Sequence, residues 1–187
     1  MEGLLLAAGA GRRMGRPKAL VVDDHGPWLA RGVTTLREGG CARVTVVLGA
    51  QAEQARELLD GLDVAVVVAD DWAEGMGASL RTGLRSLGPD DDGVVVSLVD
   101  LPDLVPAVVA RLVDRVVESG AGPAALARAA YDGRPGHPVL LGRDHWAGVV
   151  ATAVGDQGAR AYLAGRAVTL VECGDVATGR DVDEPAR

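Results

Sequence analysis

The single lysine of this chain, Lys18, closes a glycine-rich segment that also concentrates positive charge. Arg12, Arg13 and Arg16 lie in the same segment, so four cations fall within seven residues of a chain whose net charge is −7. The backbone amides of a glycine-rich turn, together with such cations, form a binding site for anions. An ammonium group is a compact point charge and a guanidinium is a planar fork, so a site that grips one phosphate oxygen can require lysine. We therefore interpret residues 6–18, the glycine loop, as a phosphate-binding segment.

The spacing within this loop excludes two common nucleotide-binding motifs. A Walker A loop needs Gly-x4-Gly-Lys-Ser/Thr, but here the lysine comes three residues after Gly15 and is followed by alanine, so the magnesium-binding hydroxyl is missing. A dinucleotide fingerprint needs Gly-x-Gly-x-x-Gly, but the spacing from Gly9 is Gly-x-Gly-x-x-x-Gly, and Pro17 interrupts the region where a helix should begin. The loop therefore predicts neither a P-loop nor a hydride-transfer site.

A second residue suited to chemistry is Asp100, which follows the apolar run 94–99 and precedes Pro102. A carboxylate at the carboxyl edge of a buried strand faces the ligand crevice of an α/β sheet. Magnesium needs only one or two protein carboxylates, because water and phosphate oxygens complete its coordination. The alternative role is a helix N-cap, but Asp103 is closer to the helix that follows. The position favours a metal ligand.

Composition sets the class of protein. The 187 residues are 48% hydrophobic, enough for one domain, 1–187, with a substantial core. The chain is acidic, so nucleic acid is not an expected partner. It has no uncharged apolar stretch of 18 residues, which argues against a membrane partner, and its first residues lack the basic region of a secretory leader. Two cysteines make neither a metal motif nor a disulfide framework, so a reducing cytoplasm is the expected location.

Apolar runs and amphipathic stretches alternate along the chain. Strands are predicted at 4–8, 44–48, 64–68, 94–99, 124–129, 139–141 and 168–171. Helices are predicted at 28–38, 52–59, 78–87 and 105–118. Strands separated by single helices indicate an α/β fold, with a mostly parallel sheet between two layers of helices and ligands at the carboxyl ends of the strands.

Several segments together resemble the molybdenum cofactor nucleotidyltransferases, which are MobA-like NTP transferases of the larger nucleotidyltransferase superfamily. The segments include Leu-Ala-Ala-Gly and Pro-Lys in the glycine loop, a Gly-His-Pro stretch and a Gly-Asp-x-Gly-Ala-Arg stretch. They occupy residues 6–18, 74–83, 98–102, 133–140, 155–160 and 181–185. They follow one another in the family's order and cover most of the chain. The resemblance implies a three-layer, Rossmann-like nucleotidyltransferase fold of the GT-A-like type.

The same resemblance implies a reaction. Leu-Ala-Ala-Gly and Pro-Lys are similar to the cytidylyltransferase members, whereas the guanylyltransferases typically have Leu-Ala-Gly-Gly and Asp-Lys-Gly. The expected reaction is transfer of CMP from CTP to the terminal phosphate of a molybdenum-bearing pterin, with Mg²⁺ as cofactor and pyrophosphate as leaving group. A molybdoenzyme or its chaperone is a further implied partner.

The resemblance also assigns roles to individual residues. The backbone of Leu6, Ala7, Ala8 and Gly9 is expected to read the base, and Gly11 to leave room for phosphates. The remaining assignments are Ser79 to the base or ribose, Arg13 and Lys18 to catalytic charge neutralisation, Asp100 and Asp183 to the metal, and His137 to the pterin side. The last motif departs from the family's Asp-x-Asp-Thr-Pro, because Glu184 replaces the threonine. Asp181 is therefore the alternative second metal ligand.

Three alternatives stay open at this point. One is a transferase of the same fold that uses GTP, and another is one with a different phosphorylated acceptor. The third belongs to another class, a carrier that binds molybdopterin without transferring a nucleotide. The Gly-His-Pro and Gly-Asp-x-Gly-Ala-Arg segments favour the pterin acceptor over other acceptors, and a carrier is expected to tolerate loss of the metal.

Overall fold

A computed structural model describes residues 1–89 and 91–184 of the chain. The strands are β1 (Glu2–Ala7), β2 (Val22–Asp23), β3 (Gly26–Pro27), β4 (Arg43–Leu48), β5 (Ala65–Val68), β6 (Gly93–Leu98), β7 (Leu126–Tyr131), β8 (Arg134–Gly142) and β9 (Thr169–Glu172). The α-helices are α1 (Trp28–Glu38), α2 (Ala52–Glu57), α3 (Met76–Ser86), α4 (Pro106–Ser119), α5 (Trp146–Thr152) and α6 (Arg160–Leu163). No helix among these residues is both long and apolar enough to cross a membrane.

Seven of the described strands form one sheet in the order β5-β4-β1-β6-β8-β7-β9, and β2 and β3 form a separate hairpin. The pairs β4–β5, β1–β4, β1–β6 and β7–β9 are parallel, whereas β8 is antiparallel to both of its neighbours. The carboxyl ends of β1 and β6 therefore lie side by side, and the amino end of β8 reaches the same edge. The predicted α/β fold with a mostly parallel sheet is confirmed.

The sheet is covered on both faces. On one face α1, α2 and α4 bury Leu29, Val33 and Leu112 against β1, β4 and β6. On the other face α3, α5 and α6 bury Leu80, Val149 and Leu163. The continuously apolar strands β1 and β6 suit this position, because a strand covered on both faces has no polar side. Helix α3 lies very close to the sheet, since a Cβ on Gly83 would come within 2.7 Å of Leu4.

Two predicted strands need correction, and two helices were missed. The strand predicted at 124–129 begins at Leu126, because Gly122–Ala124 forms a 3-10 turn around Pro123. The strand predicted at 139–141 extends from Arg134 to Gly142, so the Gly-His-Pro segment is part of a strand. Helices α5 and α6 were not predicted. They are only seven and four residues long, which is too short for a hydrophobic period to stand out.

Candidate functional site

A cavity of about 580 Å³ opens at the carboxyl ends of β1 and β6. The glycine loop forms one wall, and the residues between Trp72 and Ser79, which include the start of α3, form another. Asp100, Asp181 and Asp183 line the same cavity together with Lys18. Ligands of open α/β sheets bind at this kind of crevice, outside the carboxyl ends of the strands. The fold thus brings the glycine loop and the predicted metal ligands to one cavity.

Lys18 lies between two of the aspartates. Its Nζ donates to Asp100 Oδ2 at 2.7 Å and to Asp183 Oδ1 at 2.6 Å, although these residues are 82 and 165 positions away in the chain. The Lys18 side chain is only 16% exposed, so water screens this network weakly. Burial alone would lower the pKa of Lys18, but the hydrogen bonds to the two carboxylates outweigh it and raise the pKa. The ammonium therefore stays charged.

Asp183 is held by a second cation as well. Arg13 Nη1 lies 2.6 Å from Asp183 Oδ2, so the carboxylate bridges the lysine and the arginine of the glycine loop. The hydrogen bond from Lys18 and the nearby positive charges hold the pKa of Asp183 below its usual value. Both predicted catalytic cations thus meet at one carboxylate, with Arg13 on the exposed side and Lys18 on the buried side.

The segment 178–183 passes beside the end of β6 and delivers its aspartates there. The Val182 amide donates to the Asp100 carbonyl at 3.0 Å, and Thr178 donates to Asp103 from both its amide and its hydroxyl. Ligand atoms of Asp100, Asp181 and Asp183 all lie within 4.8 Å of one another, and we call these residues the acidic cluster. Pro185, the last residue of the C-terminal motif, lies outside the described residues.

The acidic cluster fits a divalent cation on the chemistry of its donors. Asp100 Oδ1 is buried and has no hydrogen-bond partner among the described residues. An unpaired buried carboxylate oxygen costs free energy, which a bound cation would offset. Hard cations such as Mg²⁺ and Mn²⁺ prefer carboxylate oxygen ligands. Both Asp181 and Asp183 reach the cluster, so the structure brings together Asp100 and both of the aspartates considered as second ligand.

The backbone predicted to read the base is partly committed to the protein itself. The Leu6 carbonyl accepts the Val99 amide at 3.1 Å, and the Ala8 carbonyl accepts the Ala50 amide at 3.0 Å. Gly11 has a φ of +60°, and a Cβ there would lie 1.8 Å from the Arg16 carbonyl oxygen. The glycine at this position is therefore required for closure of the loop, whatever space it leaves for phosphates.

Ser79 lies on the cavity wall in the first turn of α3 and is 5% exposed. Arg81, two residues further on in α3, connects the parts of this wall. Its Nη2 donates to Asp71 at 3.0 Å and to Glu74 at 2.8 Å, and its Nη1 donates to the Ala153 carbonyl at 2.7 Å. Sequence reasoning did not single out Arg81, although it lies within the motif 74–83.

Comparison with known proteins decides the family. The sequence profile of the MobA-like NTP transferase domain matches residues 3–171. The chain belongs to this family. It is thereby a nucleotidyltransferase of the MobA-like class.

Relatives of this MobA-like chain include a protein named as an oxidoreductase and solved structures of Rv0371c. Nicotine blue oxidoreductase of Paenarthrobacter nicotinovorans is 36% identical, over 98% of this chain and 92% of the relative. The solved structure of Rv0371c from Mycobacterium tuberculosis H37Rv is 27% identical, with a TM-score of 0.80 over 98% of this chain and 92% of that one. A structure of Rv0371c in complex with manganese is 26% identical, with a TM-score of 0.76 over 97% and 92% of the two chains. A divalent metal thus occurs in a structure of this fold.

His137 does not line the main cavity of this MobA-like fold. It lies on β8, where its carbonyl accepts the Tyr131 hydroxyl at 2.7 Å. Burial lowers the pKa of its ring to about 4, with a further contribution from the positive charge of Arg128. The ring is therefore neutral at pH 7. Arg128, at the centre of the alanine-rich strand β7, was missed by sequence reasoning because it belongs to no recognisable motif.

Proposed function

We propose that this chain transfers CMP from CTP to the terminal phosphate of a molybdopterin-type acceptor, with Mg²⁺ as cofactor. The observation that carries the proposal is the contact of Lys18 with both Asp100 and Asp183 at the cavity that the glycine loop borders. Phosphoryl-group chemistry asks for fixed cations and in-line positioning more than for acid–base residues. Lys18, buried and flanked by carboxylates, supplies a fixed cation, and the glycine loop beside it supplies the positioning.

In the proposed reaction an oxygen of the acceptor's phosphate attacks the α-phosphorus of CTP. A new phosphorus–oxygen bond forms there, and the bond from the α-phosphorus to the bridging oxygen breaks. Pyrophosphate leaves with the electron pair of that bond, and the product is a dinucleotide cofactor. No side chain becomes covalently linked to the substrate, so the reaction needs no nucleophile from the protein.

The cations of the glycine loop act on the phosphates of the nucleotide. Lys18 uses two of its three ammonium protons on the aspartates, which leaves one for a phosphate oxygen. Arg13, whose side chain is largely exposed, can turn towards the outer phosphates. Asp100, Asp183 and Asp181 would hold Mg²⁺, which neutralises phosphate charge when it is bound. The protein itself contributes by holding the charges of the glycine loop and the acidic cluster in place before the substrate binds.

The preference for CTP rests on the Leu-Ala-Ala-Gly and Pro-Lys pattern of the loop. Trp72 is the one aromatic side chain of the cavity wall among the described residues. A second candidate function is that of an oxidoreductase acting on nicotine blue. It is favoured by a different observation, the 36% identity to nicotine blue oxidoreductase over nearly the whole chain. Against it stands the glycine loop, whose spacing is not that of the dinucleotide fingerprint.

The test is pyrophosphate release with each of CTP, GTP, ATP and UTP, in the presence of Mg²⁺, with and without molybdenum-loaded molybdopterin. We expect release only with CTP and only when the acceptor is present. Release with GTP would reassign the base, and release with CTP and a sugar phosphate alone would reassign the acceptor. No release with any nucleotide, together with retained pterin binding, would support a carrier instead.

The same preparation should be mixed with nicotine blue and either NADH or NADPH, and loss of the reduced nicotinamide should be followed by absorbance. We expect no turnover. Enzymatic oxidation of the nicotinamide, abolished by boiling the protein, would replace the transferase proposal by the second candidate. Arg115→Gln, an exposed change on α4, serves as the matched control in both assays.

A further inference from the structure

Asp103 binds the C-terminal segment rather than the helix that follows it in sequence. Helix α4 begins at Pro106 after the N-cap residue Val105, and no side chain of the described residues caps it. Asp103 Oδ2 instead accepts the Thr178 amide at 2.7 Å and the Thr178 hydroxyl at 2.5 Å. These two residues are 75 positions apart, so their contact joins distant parts of the chain. We call Asp103 and Thr178 the latch.

The Thr178 hydroxyl also shapes the turn that follows it. The hydroxyl oxygen accepts the Arg180 amide at 3.3 Å while its proton is donated to Asp103. A threonine hydroxyl can do both, because it carries one proton and two lone pairs. Gly179 lies in this turn with a φ of +64°, and a Cβ there would collide with the ring of Tyr131. The hydroxyl and this close packing together fix the turn that leads into the acidic cluster.

A second contact fixes the segment four residues after Thr178. The Val182 amide donates to the Asp100 carbonyl at 3.0 Å. Val182 lies between Asp181 and Asp183, so the latch and this backbone bond together set the positions of both aspartates. Asp181 depends on them most, because among residues 1–89 and 91–184 it forms no ion pair of its own, unlike Asp183.

The acidic cluster needs this support because its members repel one another. Ligand atoms of its three carboxylates all lie within 4.8 Å of one another. Like charges at such separations are unfavourable when no cation lies between them. Residues 178–183, which supply two of the three carboxylates, belong to no helix or strand. Contacts such as those of the latch must therefore hold this segment in place against the repulsion.

We propose that Asp103 and Thr178 are positioning residues for the metal, acting through the aspartates of the segment 178–183. The latch keeps these aspartates facing Asp100. Without the Thr178 hydroxyl the turn can shift, so the cation site keeps Asp100 but loses the fixed position of its other two carboxylates. Partners that orient metal ligands typically contribute about 10–100-fold to metal affinity. The inference rests on the proposed function for its metal.

The test measures metal binding without turnover. Mn²⁺ alone is titrated into the full chain, and the unbound ion is measured by electron paramagnetic resonance. The proteins are wild type, Thr178→Val, Thr178→Ser, Asp103→Asn and the control Thr34→Val. Valine keeps the shape of Thr178 but removes both hydroxyl bonds, and serine restores them. Thr34 is exposed on α1, and its hydroxyl donates to the Ala30 carbonyl of its own helix at 3.1 Å. Thermal melts and circular dichroism check that each variant folds.

We expect Mn²⁺ to bind about tenfold more weakly to Thr178→Val than to wild type. Thr178→Ser and Thr34→Val should match wild type. Asp103→Asn keeps an acceptor oxygen but loses the charge that strengthens the bonds, so its affinity should lie between the two. Equal affinity in wild type and Thr178→Val would overturn the proposal even if the melting temperature fell, because that pattern marks a role in stability alone. Failure of serine to restore the affinity, or no binding of Mn²⁺ to wild type, would also overturn it.

Turnover provides a second readout. The Mg²⁺ concentration that gives half of the maximal rate should rise about tenfold in Thr178→Val, while kcat at saturating Mg²⁺ changes less than about threefold. An unchanged requirement for Mg²⁺ would contradict the positioning role.

The latch and the transferase proposal can fail separately. If no nucleotide releases pyrophosphate but Mn²⁺ affinity still depends on the Thr178 hydroxyl, the latch stands and the transferase assignment falls. If CTP is turned over, and neither the affinity for Mn²⁺ nor the requirement for Mg²⁺ changes in Thr178→Val, the transferase stands and the latch is wrong.

Discussion

Two regions at the same edge of the sheet carry positive charge, and they differ in how that charge is balanced. At the acidic cluster, Lys18 and Arg13 are already paired with Asp100 and Asp183. Arg128 of β7 contacts only the uncharged Gly136 carbonyl, and Arg160 of α6 makes no ion pair within the described residues. We call these two residues the arginine cluster. One region is neutralised in advance by the protein, and the other is left charged.

This difference in charge balance indicates which kind of ligand each region suits. A paired lysine is fixed in place, so it can stabilise charge that develops during the reaction with little rearrangement. Such a region binds a polyphosphate together with a metal ion, because its carboxylates would repel an anion that arrived without one. An unpaired pair of guanidinium groups attracts a phosphate dianion directly. A transferase with two anionic substrates has a use for both arrangements.

The largest effect is expected from Asp100→Asn. The change keeps the shape of the side chain but removes the charge that holds Lys18 and that would hold the proposed metal. Turnover should fall by about 10³-fold, and the dependence of the residual rate on Mg²⁺ should disappear. Steady-state kinetics over a range of Mg²⁺ concentrations measure this, with Asp114→Asn on the exposed side of α4 as control. A variant that responds to Mg²⁺ like wild type would place the metal elsewhere.

Lys18→Arg should have the next largest effect. The charge is kept, but a planar guanidinium cannot reproduce two bonds of 2.6–2.7 Å to carboxylates and a third to phosphate from the same buried point. We expect about a 10²-fold loss of kcat, with an unchanged circular dichroism spectrum. Arg115→Lys, the reverse exchange at a remote surface position, is the control. Kinetics like those of wild type would show that any cation suffices, and the distinction between the two regions would then lose its basis.

The sequence predicted the acidic cluster better than the arginine cluster, and the reason is physical. Lys18 and Asp100 follow apolar runs with fixed ends, so strand periodicity and the rule for carboxyl ends of strands place both at one edge. The resemblance added Asp183. Helix α1 lies at the predicted residues 28–38, because its amphipathic period is long and regular. The roles of these side chains in catalysis stay predictions.

The arginine cluster could not be read from the sequence in the same way. Arg128 lies alone among alanines, and it contacts Gly136 only because β8 runs antiparallel between β6 and β7. A short apolar run does not reveal the direction of a strand, so neither the partner strands nor the shared face was predictable. Arg160 reaches the same face through α6, a single turn whose period is too short to recognise.

Arg81→Gln probes the link between the two regions. Arg81 joins the wall segment at Asp71 and Glu74 to the Ala153 carbonyl, which ends α5 just before the loop that carries Arg160. Loss of these bonds should raise the KM for both substrates by about tenfold, with kcat changed less than about threefold. The melting temperature should fall by roughly 3–6 °C. Arg85→Gln, an exposed change one turn further along α3, should have neither effect. If only one KM rises, Arg81 serves one region alone.

The last effect concerns stability rather than turnover, and it is a pH dependence centred on His137. Its folded pKa, about 4, is below the ordinary value of 6.5, because burial and the positive charge of Arg128 disfavour the protonated ring. Between these two values the unfolded chain binds more protons than the folded one. The stabilising contribution is therefore complete above pH 6.5 and is lost as the pH falls through 4. The loss should be about 3 kcal/mol in wild type, and His137→Gln should remove it from denaturant titrations across this window.

The same ring reports on the arginine cluster, because its pKa responds to every charge nearby. Arg160→Gln removes one repelling cation, so the pKa of His137 should rise, and saturating inorganic phosphate should raise it in wild type by supplying a negative charge. Proton NMR titration can follow this, since the chain has three histidines and His25 and His145 provide internal references. A pKa of His137 that moves in neither experiment would show that neither Arg160 nor a bound phosphate lies near the ring. A rise in both, with Arg115→Gln unchanged, would identify the uncompensated charge as the feature that separates the two regions.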